Sequence, residues 1–298
     1  MFPILPANSA AADSGNDEGI FGFGTTGASL TGVTNLVSNA GVVASDTAGV
    51  GTAKGYLAAT EYGGDKGIFG FGHDGSSIAE TNLVSNAGVV ASDTAGVGTA
   101  RYNLAATSYG GDKGIFGFGN DGSVTGVTNL VSNTGVVASD VSAVGTARYG
   151  PAACGYGDDK GIFGYGFDGG SRVSITNLVS NVGVVASDQA ATTGTAREAL
   201  AGCLYGEDKG IFGYGWPNPA TAVTNLVSNT GVVAADTAGV GTARANLAAC
   251  EYGTDKGIFG FGAGPVSMTN LVSNAGVVAT DTAGVGTARY YLGACSFN

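Results

Sequence analysis

The chain repeats itself six times, and this periodicity constrains its fold more than any other feature. The string Gly-Ile-Phe-Gly begins at Gly19, Gly67, Gly114, Gly161, Gly210 and Gly257, at spacings of 48, 47, 47, 49 and 47 residues. A second string, Thr-Asn-Leu-Val-Ser-Asn, begins at Thr34, Thr81, Thr128, Thr176, Thr224 and Thr269. A third, Gly-Thr-Ala followed by a base, ends at Lys54, Arg101, Arg148, Arg197, Arg244 and Arg289. Equal repeats of this length signal a solenoid, a propeller or a similar array.

Within one repeat the pattern is that of short strands. In the third, Leu104 to Tyr109 is a strand of small residues, Gly110-Gly111-Asp112 a turn, and Lys113 to Phe118 a second strand. The cluster Asn120-Asp121-Gly122-Ser123 is a loop, Val127 to Ser132 a third strand, and Gly135 to Ser139 a fourth. Runs of four to six residues between Gly, Asp and Asn turns indicate antiparallel β structure, and no run of useful length carries the helical period. Four strands in each of six repeats is the arithmetic of a six-bladed β-propeller.

The ends of the chain point to a closed ring. The first repeat starts almost at its second strand, Gly19 to Phe23, while Arg289 to Phe297 matches the first-strand segment Arg101 to Tyr109 position for position. The C-terminal strand therefore supplies what the first blade lacks, which closes the ring and removes open sheet edges. An open solenoid would need capping repeats instead. Residues 1–16, rich in Pro, Ala, Ser and Asn, fall outside the ring as a tail or docking arm, and 17–298 form the propeller.

The stretch Arg-x-x-Leu-Ala-Ala-x-x-Tyr-Gly-Gly-Asp-Lys-Gly-Ile-Phe-Gly-Phe-Gly, beginning at Arg101, resembles the kelch repeat, with Gly117-Phe118-Gly119 where that repeat has a double glycine. The resemblance covers residues 17–298 and implies a kelch-like propeller. The family's late-blade tryptophan is missing, because Trp216 is the only tryptophan. The repeats also resemble glycine-rich repeats of bacteriophage and other viral structural proteins, which implies a particle component. Propellers host many functions, so neither resemblance assigns one.

Composition excludes several classes. The 55 glycines lack the triplet period of collagen, and 44% hydrophobic residues is too many for a disordered chain. A net charge of −11 with no Lys/Arg cluster argues against a nucleic-acid partner. No stretch of about 20 apolar residues offers a membrane span. Met1 to Pro6 lacks a basic n-region and makes a poor signal peptide, so an extracellular role implies export inside a particle or release by lysis.

Few residues invite chemistry. His73 is the only histidine, and no nucleophile elbow or zinc or copper ligand set accompanies it. Cys154, Cys203, Cys250 and Cys295 occupy one repeat position, held by Thr60 and Thr107 elsewhere, and read as small buried residues near the axis. The recurrent carboxylates (Asp17, Asp65, Asp112, Asp159, Asp208 and Asp255; Asp46, Asp93, Asp140, Asp188, Asp236 and Asp281) read, with the recurrent bases, as turn caps and pairs within a blade. An active site needs groups in unlike environments, and exact repetition works against that. The Asp-Gly loops at Asp74, Asp121 and Asp168 lack the spaced acids of an EF-hand, so no metal or cofactor is expected.

Function is expected where the repeats differ. The loop between the second and third strands varies most, and all six copies emerge on one face. On it, His73, Asp74, Asn120, Asp121, Phe167, Asp168, Trp216 and Asn218 are the candidate binding residues; Phe167 and Trp216, on neighbouring blades, either form an exposed aromatic pair or pack on their own loops. The expectation is a non-enzymatic structural or recognition protein of a phage or virus particle. It would contact other particle proteins, with residues 1–16 as one route, or a host-surface glycan. A free extracellular carbohydrate-binding module is the alternative, and an enzyme using Glu61, Glu251 or His73 a third reading.

Overall fold

The computed structural model describes residues 17–190 and 194–298, so the arm 1–16 lies outside the described residues. Those residues contain no helix and form six three-stranded antiparallel sheets. Each sheet runs from an inner strand through a middle strand to an outer one. Sheet 3 is typical, with Ala105–Tyr109 inside, Lys113–Asn120 in the middle and Val124–Val131 outside. In sheet 1 the inner strand is the C-terminal Gly293–Phe297, which pairs with Glu18–Gly22 from Glu18 opposite Phe297 to Gly22 opposite Gly293. Each inner strand touches those of the two adjacent sheets, and the sixth touches the first. The arrangement is consistent with a six-bladed propeller.

Three strands per sheet corrects the expectation of four. The segment after each outer strand does pair with it, but an extra residue breaks the ladder. In sheet 1, Ala44 donates to Leu36 O, whereas Thr47 exchanges hydrogen bonds with Thr34, so the segment spends one residue more than its partner. Only isolated bridges remain, Val37 to Val43 and Thr34 to Thr47, and the same two recur in every sheet. The Asn35 amide fills the bulge, donating to Ala44 O at 3.0 Å and Asp46 Oδ1 at 2.9 Å.

Strand pairing does not join one sheet to the next. Packing and two circles of hydrogen bonds do. Both glycines of Gly-Ile-Phe-Gly are contact points. A Cβ on Gly70 would stand 2.8 Å from Phe116 of the next sheet, and the relation continues around until Gly260 receives Phe21. The first glycine receives the previous sheet's Thr or Cys, as Gly114 receives Thr60 and Gly67 receives Cys295. The cysteines are therefore buried between sheets, and all four are free. Burial pushes their thiols up.

Around the axis, Asn103 N donates to Tyr56 O, Gly150 N to Asn103 O, Ala199 N to Gly150 O, Asn246 N to Ala199 O, Tyr291 N to Asn246 O and Tyr56 N to Tyr291 O, all at 2.7–2.9 Å. All six residues have φ between 52° and 62°, the left-handed conformation that turns each N–H toward the preceding sheet. On the opposite face the hairpin turns link likewise, from Gly63 N to Asp112 O and onward to Asn298 N with Asp65 O.

The aspartates of the hairpin turns pair with the lysine beside them, as expected, whereas the second set of recurrent acids and the arginines depart from pairing within a blade. Asp93 accepts from Thr52 N and Oγ1, both at 2.8 Å, so the acid clasps the link arriving from the previous sheet. Asp46 does the same for Thr287 and fastens the end of the chain to its beginning. The arginines are buried. Arg244 lies 4.3 Å over Tyr214 and donates to Phe261 O, Thr242 O and Asn270 Oδ1, while its nearest carboxylate, Asp281, is 4.0 Å away. They work as hydrogen-bonded cation–π posts rather than as salt-bridge partners.

Candidate functional site

The ring has two mouths, and each carries what its variable positions supply. On the first, each second-to-third-strand loop is bridged to the residue following the recurrent base. His73 pairs with Gly55, Asn120 with Tyr102, Phe167 with Tyr149, Trp216 with Glu198 and Thr25 with Tyr290. This brings the loops alongside the axial circle of Tyr56, Asn103, Gly150, Ala199, Asn246 and Tyr291.

That circle is uneven. Tyr56 and Tyr291 stack at 3.7 Å and 27°, with Tyr290 5.0 Å from Tyr291, while His73 and Tyr102 close edge-on around Tyr56. Burial among these rings pushes the Tyr291 hydroxyl up to about 12. Gly150 and Ala199 are small, and the other half of the mouth opens into a cavity of about 720 Å³. Its walls include Tyr102, Tyr149, Trp216 and Tyr291, the amides of Asn103, Asn120 and Asn246, and Glu198. Trp216 is 39% exposed. Glu198 pairs with Arg172 at 3.0 Å. Burial raises the Glu198 pKa, with the arginine opposing it. Aromatic faces beside amides and a neutralised carboxylate suit a polar, uncharged ligand with apolar ring faces.

The eight sequence-predicted residues divide by role. Asn120 and Trp216 line the cavity. Phe167 packs on Tyr149 with ring centres 5.3 Å apart, so of its two readings the structure favours packing within its own sheet. His73 belongs to the tyrosine cluster, and its Nδ1 accepts from Gly75 N. Asp74, Asp121 and Asp168 hold their own turns by accepting from Ser76, Ser123, and Gly170 and Ser171. Asn218 precedes Pro219 across a cis peptide. Sequence reasoning missed Tyr102, Tyr149, Asn103, Asn246, Glu198 and Tyr291. Their signal was present, since the two positions after the recurrent base also vary from repeat to repeat.

The second mouth lies at the hairpin turns, over a cavity of about 450 Å³. Each turn carries an Asp–Lys pair, such as Asp159 with Lys160 at 2.9 Å, and the lysine pulls the carboxylate pKa down. Glu61 and Glu251 stand at its floor on the inner strands of sheets 2 and 6, with Asp158 and Glu207 on the rim. Among the described residues, no group of three His, Cys, Asp or Glu is placed to hold a metal ion, and no helix is long and apolar enough to cross a membrane. No protein-family model matches the chain, and no curated protein matches it significantly, so the likeness to kelch and phage repeats rests on the residues alone.

Proposed function

We propose that this chain is a non-enzymatic recognition protein that binds a host-surface glycan in the aromatic mouth of a kelch-like six-bladed propeller. The observation that carries the reading is the 720 Å³ cavity, assembled at positions where otherwise near-identical repeats differ. The exposed face of Trp216 takes a pyranose ring, and the amides of Asn103, Asn120 and Asn246 exchange hydrogen bonds with its hydroxyls. The rigid ring preorganises these groups, which lowers the entropic cost of binding. The setting we propose is a phage or virus particle, as a tail, fibre or capsid-decorating component, with residues 1–16 as the attachment to other particle proteins. A free extracellular carbohydrate-binding module would use the same mouth.

A glycan array tests the binding. Wild-type protein is expected to retain a narrow set of glycans, and Trp216→Ala to lose them, since one stacked aromatic contributes about 1–3 kcal/mol. An array with no retained glycan, or retention unchanged in Trp216→Ala, would sink the proposal.

A further inference from the structure

The loop mouth holds a pair of charges that the repeat does not supply. Arg172 is the one base outside the repeat positions. Glu198 follows the recurrent Arg197, at a position that is Gly55, Tyr102, Tyr149, Ala245 or Tyr290 in the other repeats. The fold brings the two together, with Arg172 Nη2 3.0 Å from Glu198 Oε1 and the glutamate side chain only 14% exposed. Glu198 is also tied to the exposed indole. It forms an antiparallel bridge with Trp216, whose N–H donates to Glu198 O at 2.8 Å. Residues directly opposite across such a bridge send their side chains to the same side. The equivalent pair one sheet earlier, Tyr149 and Phe167, shows the consequence, with ring centres 5.3 Å apart.

The Glu198 carboxylate therefore stands beside the indole, and its Oε2 lies 3.8 Å from the point where a Cβ on Gly150 would project. Glu198, Trp216 and Gly150 all line the cavity. A carboxylate has more acceptor sites than one guanidinium contact uses, so the arginine on Oε1 does not exhaust it. Bases at this mouth are already engaged. Arg172 is paired with Glu198, and Arg244, which also lines the cavity, is buried and donates to Phe261 O, Thr242 O and Asn270 Oδ1. The exposed turns around the mouth carry Asp74, Asp121 and Asp168, on a chain whose net charge is −11. An anionic ligand would meet acceptors and negative charge here, whereas a hydroxyl donor meets a fixed carboxylate beside a stacking surface.

Resting on the glycan reading above, we infer that Glu198 and Trp216 form the subsite that selects the sugar. A neutral pyranose stacks on the indole and donates two adjacent hydroxyls to the Glu198 carboxylate, which Arg172 orients. Two neighbouring hydroxyls suit the two oxygens of one carboxylate, as the paired N–H groups of a guanidinium do. A sugar acid is rejected, because its carboxylate would face Glu198 with no free counter-charge, and like charges brought together cost affinity. Glu198 is thus a specificity residue that touches the ligand, and Arg172 a positioning residue that acts through it.

The test is an array of galactose-, glucose- and mannose-terminated oligosaccharides beside the same oligosaccharides capped with sialic acid or glucuronic acid. Wild-type protein should retain members of the neutral set and not their capped counterparts. Glu198→Gln keeps the shape and removes the charge. It should weaken retention of the neutral glycans about tenfold or more, through loss of charge-assisted contacts. It should also narrow the preference for neutral over capped glycans, which a merely structural role would not change. Arg172→Gln should weaken retention severalfold and keep that preference. Circular dichroism confirms folding, and Glu198→Ala serves if Glu198→Gln does not fold, because Ala245 already occupies the equivalent position. If wild type retains no glycan, the glycan reading and this inference fall together. If neutral glycans are retained and Trp216→Ala loses them, yet Glu198→Gln retains them as wild type does or capped glycans bind equally, the glycan reading stands and this inference fails.

Discussion

The two mouths are made from the same six repeats, yet they carry opposite chemistry. The loop mouth collects tyrosines, tryptophan and amides, and its Glu198 is paired internally with Arg172. The turn mouth collects Glu61, Glu251, Asp158 and Glu207, and its lysines are already paired. Six-fold repetition cannot make a site, because it offers six identical environments. Substitutions at a few axial positions can, because the ring places those positions next to one another. At the loop mouth, small residues at Gly150 and Ala199 create room. At the turn mouth, long acids at Glu61 and Glu251 set carboxyl groups at the floor.

The sharpest break of this comparison is Ala199→Tyr. Tyr56 and Tyr291 already occupy equivalent positions at φ of 59° and 55°, close to the 56° of Ala199, so the backbone tolerates the ring. The substitution should fill the open half of the loop mouth and abolish glycan retention on an array. Stability should change by about 1 kcal/mol or less, read by denaturant unfolding.

A smaller effect separates the mouths by pH. The pKa of Glu251 is raised in the fold, burial being the first cause and Glu61 the next. Well below the unfolded glutamate value of about 4.3, both folded and unfolded chains hold the proton, and the residue has no pH-dependent cost. Above it the unfolded chain releases the proton while the fold retains it, so stability falls as pH rises toward the folded pKa. Glu251→Gln removes that slope. Its melting temperature should match wild type near pH 3 and exceed it by a few degrees at pH 7. A constant difference across that range would contradict a carboxyl whose pKa burial raises in the fold.

The smallest effect is expected at Asp74→Ala. Its carboxylate holds the exposed turn through Ser76, so glycan binding should persist. Melting should shift by no more than about 0.5 kcal/mol equivalent. A loss of glycan binding would return Asp74 to the site.

Much of this was legible in advance. The turn chemistry and alternating strands give three of the four expected strands in every repeat, and the match of Arg289–Phe297 to Arg101–Tyr109 predicts the pairing of first and last strands. The fourth strand failed because the repeat string does not reveal that Asp46 and its equivalents bulge outward to clasp a threonine of the arriving link. The site was half legible. Loop variability pointed to Asn120 and Trp216, but the aspartates beside them are turn caps, and Phe167 is spent on Tyr149. Asn103 and Asn246 escaped notice because a residue two places past an arginine says nothing locally about facing the axis.

The sequence alone determined the number of sheets, the order of strands within them and the permutation that joins the two ends. These follow from local periodicity, turn residues and internal repetition, which act over a few residues at a time. Only the tertiary structure decided which positions meet. Left-handed residues after each base turn their N–H groups toward the preceding sheet and close a circle around the axis, placing Tyr56 against Tyr291. The same closure brings Glu61 and Glu251 to either side of Ser296, a juxtaposition of distant residues that no local pattern encodes.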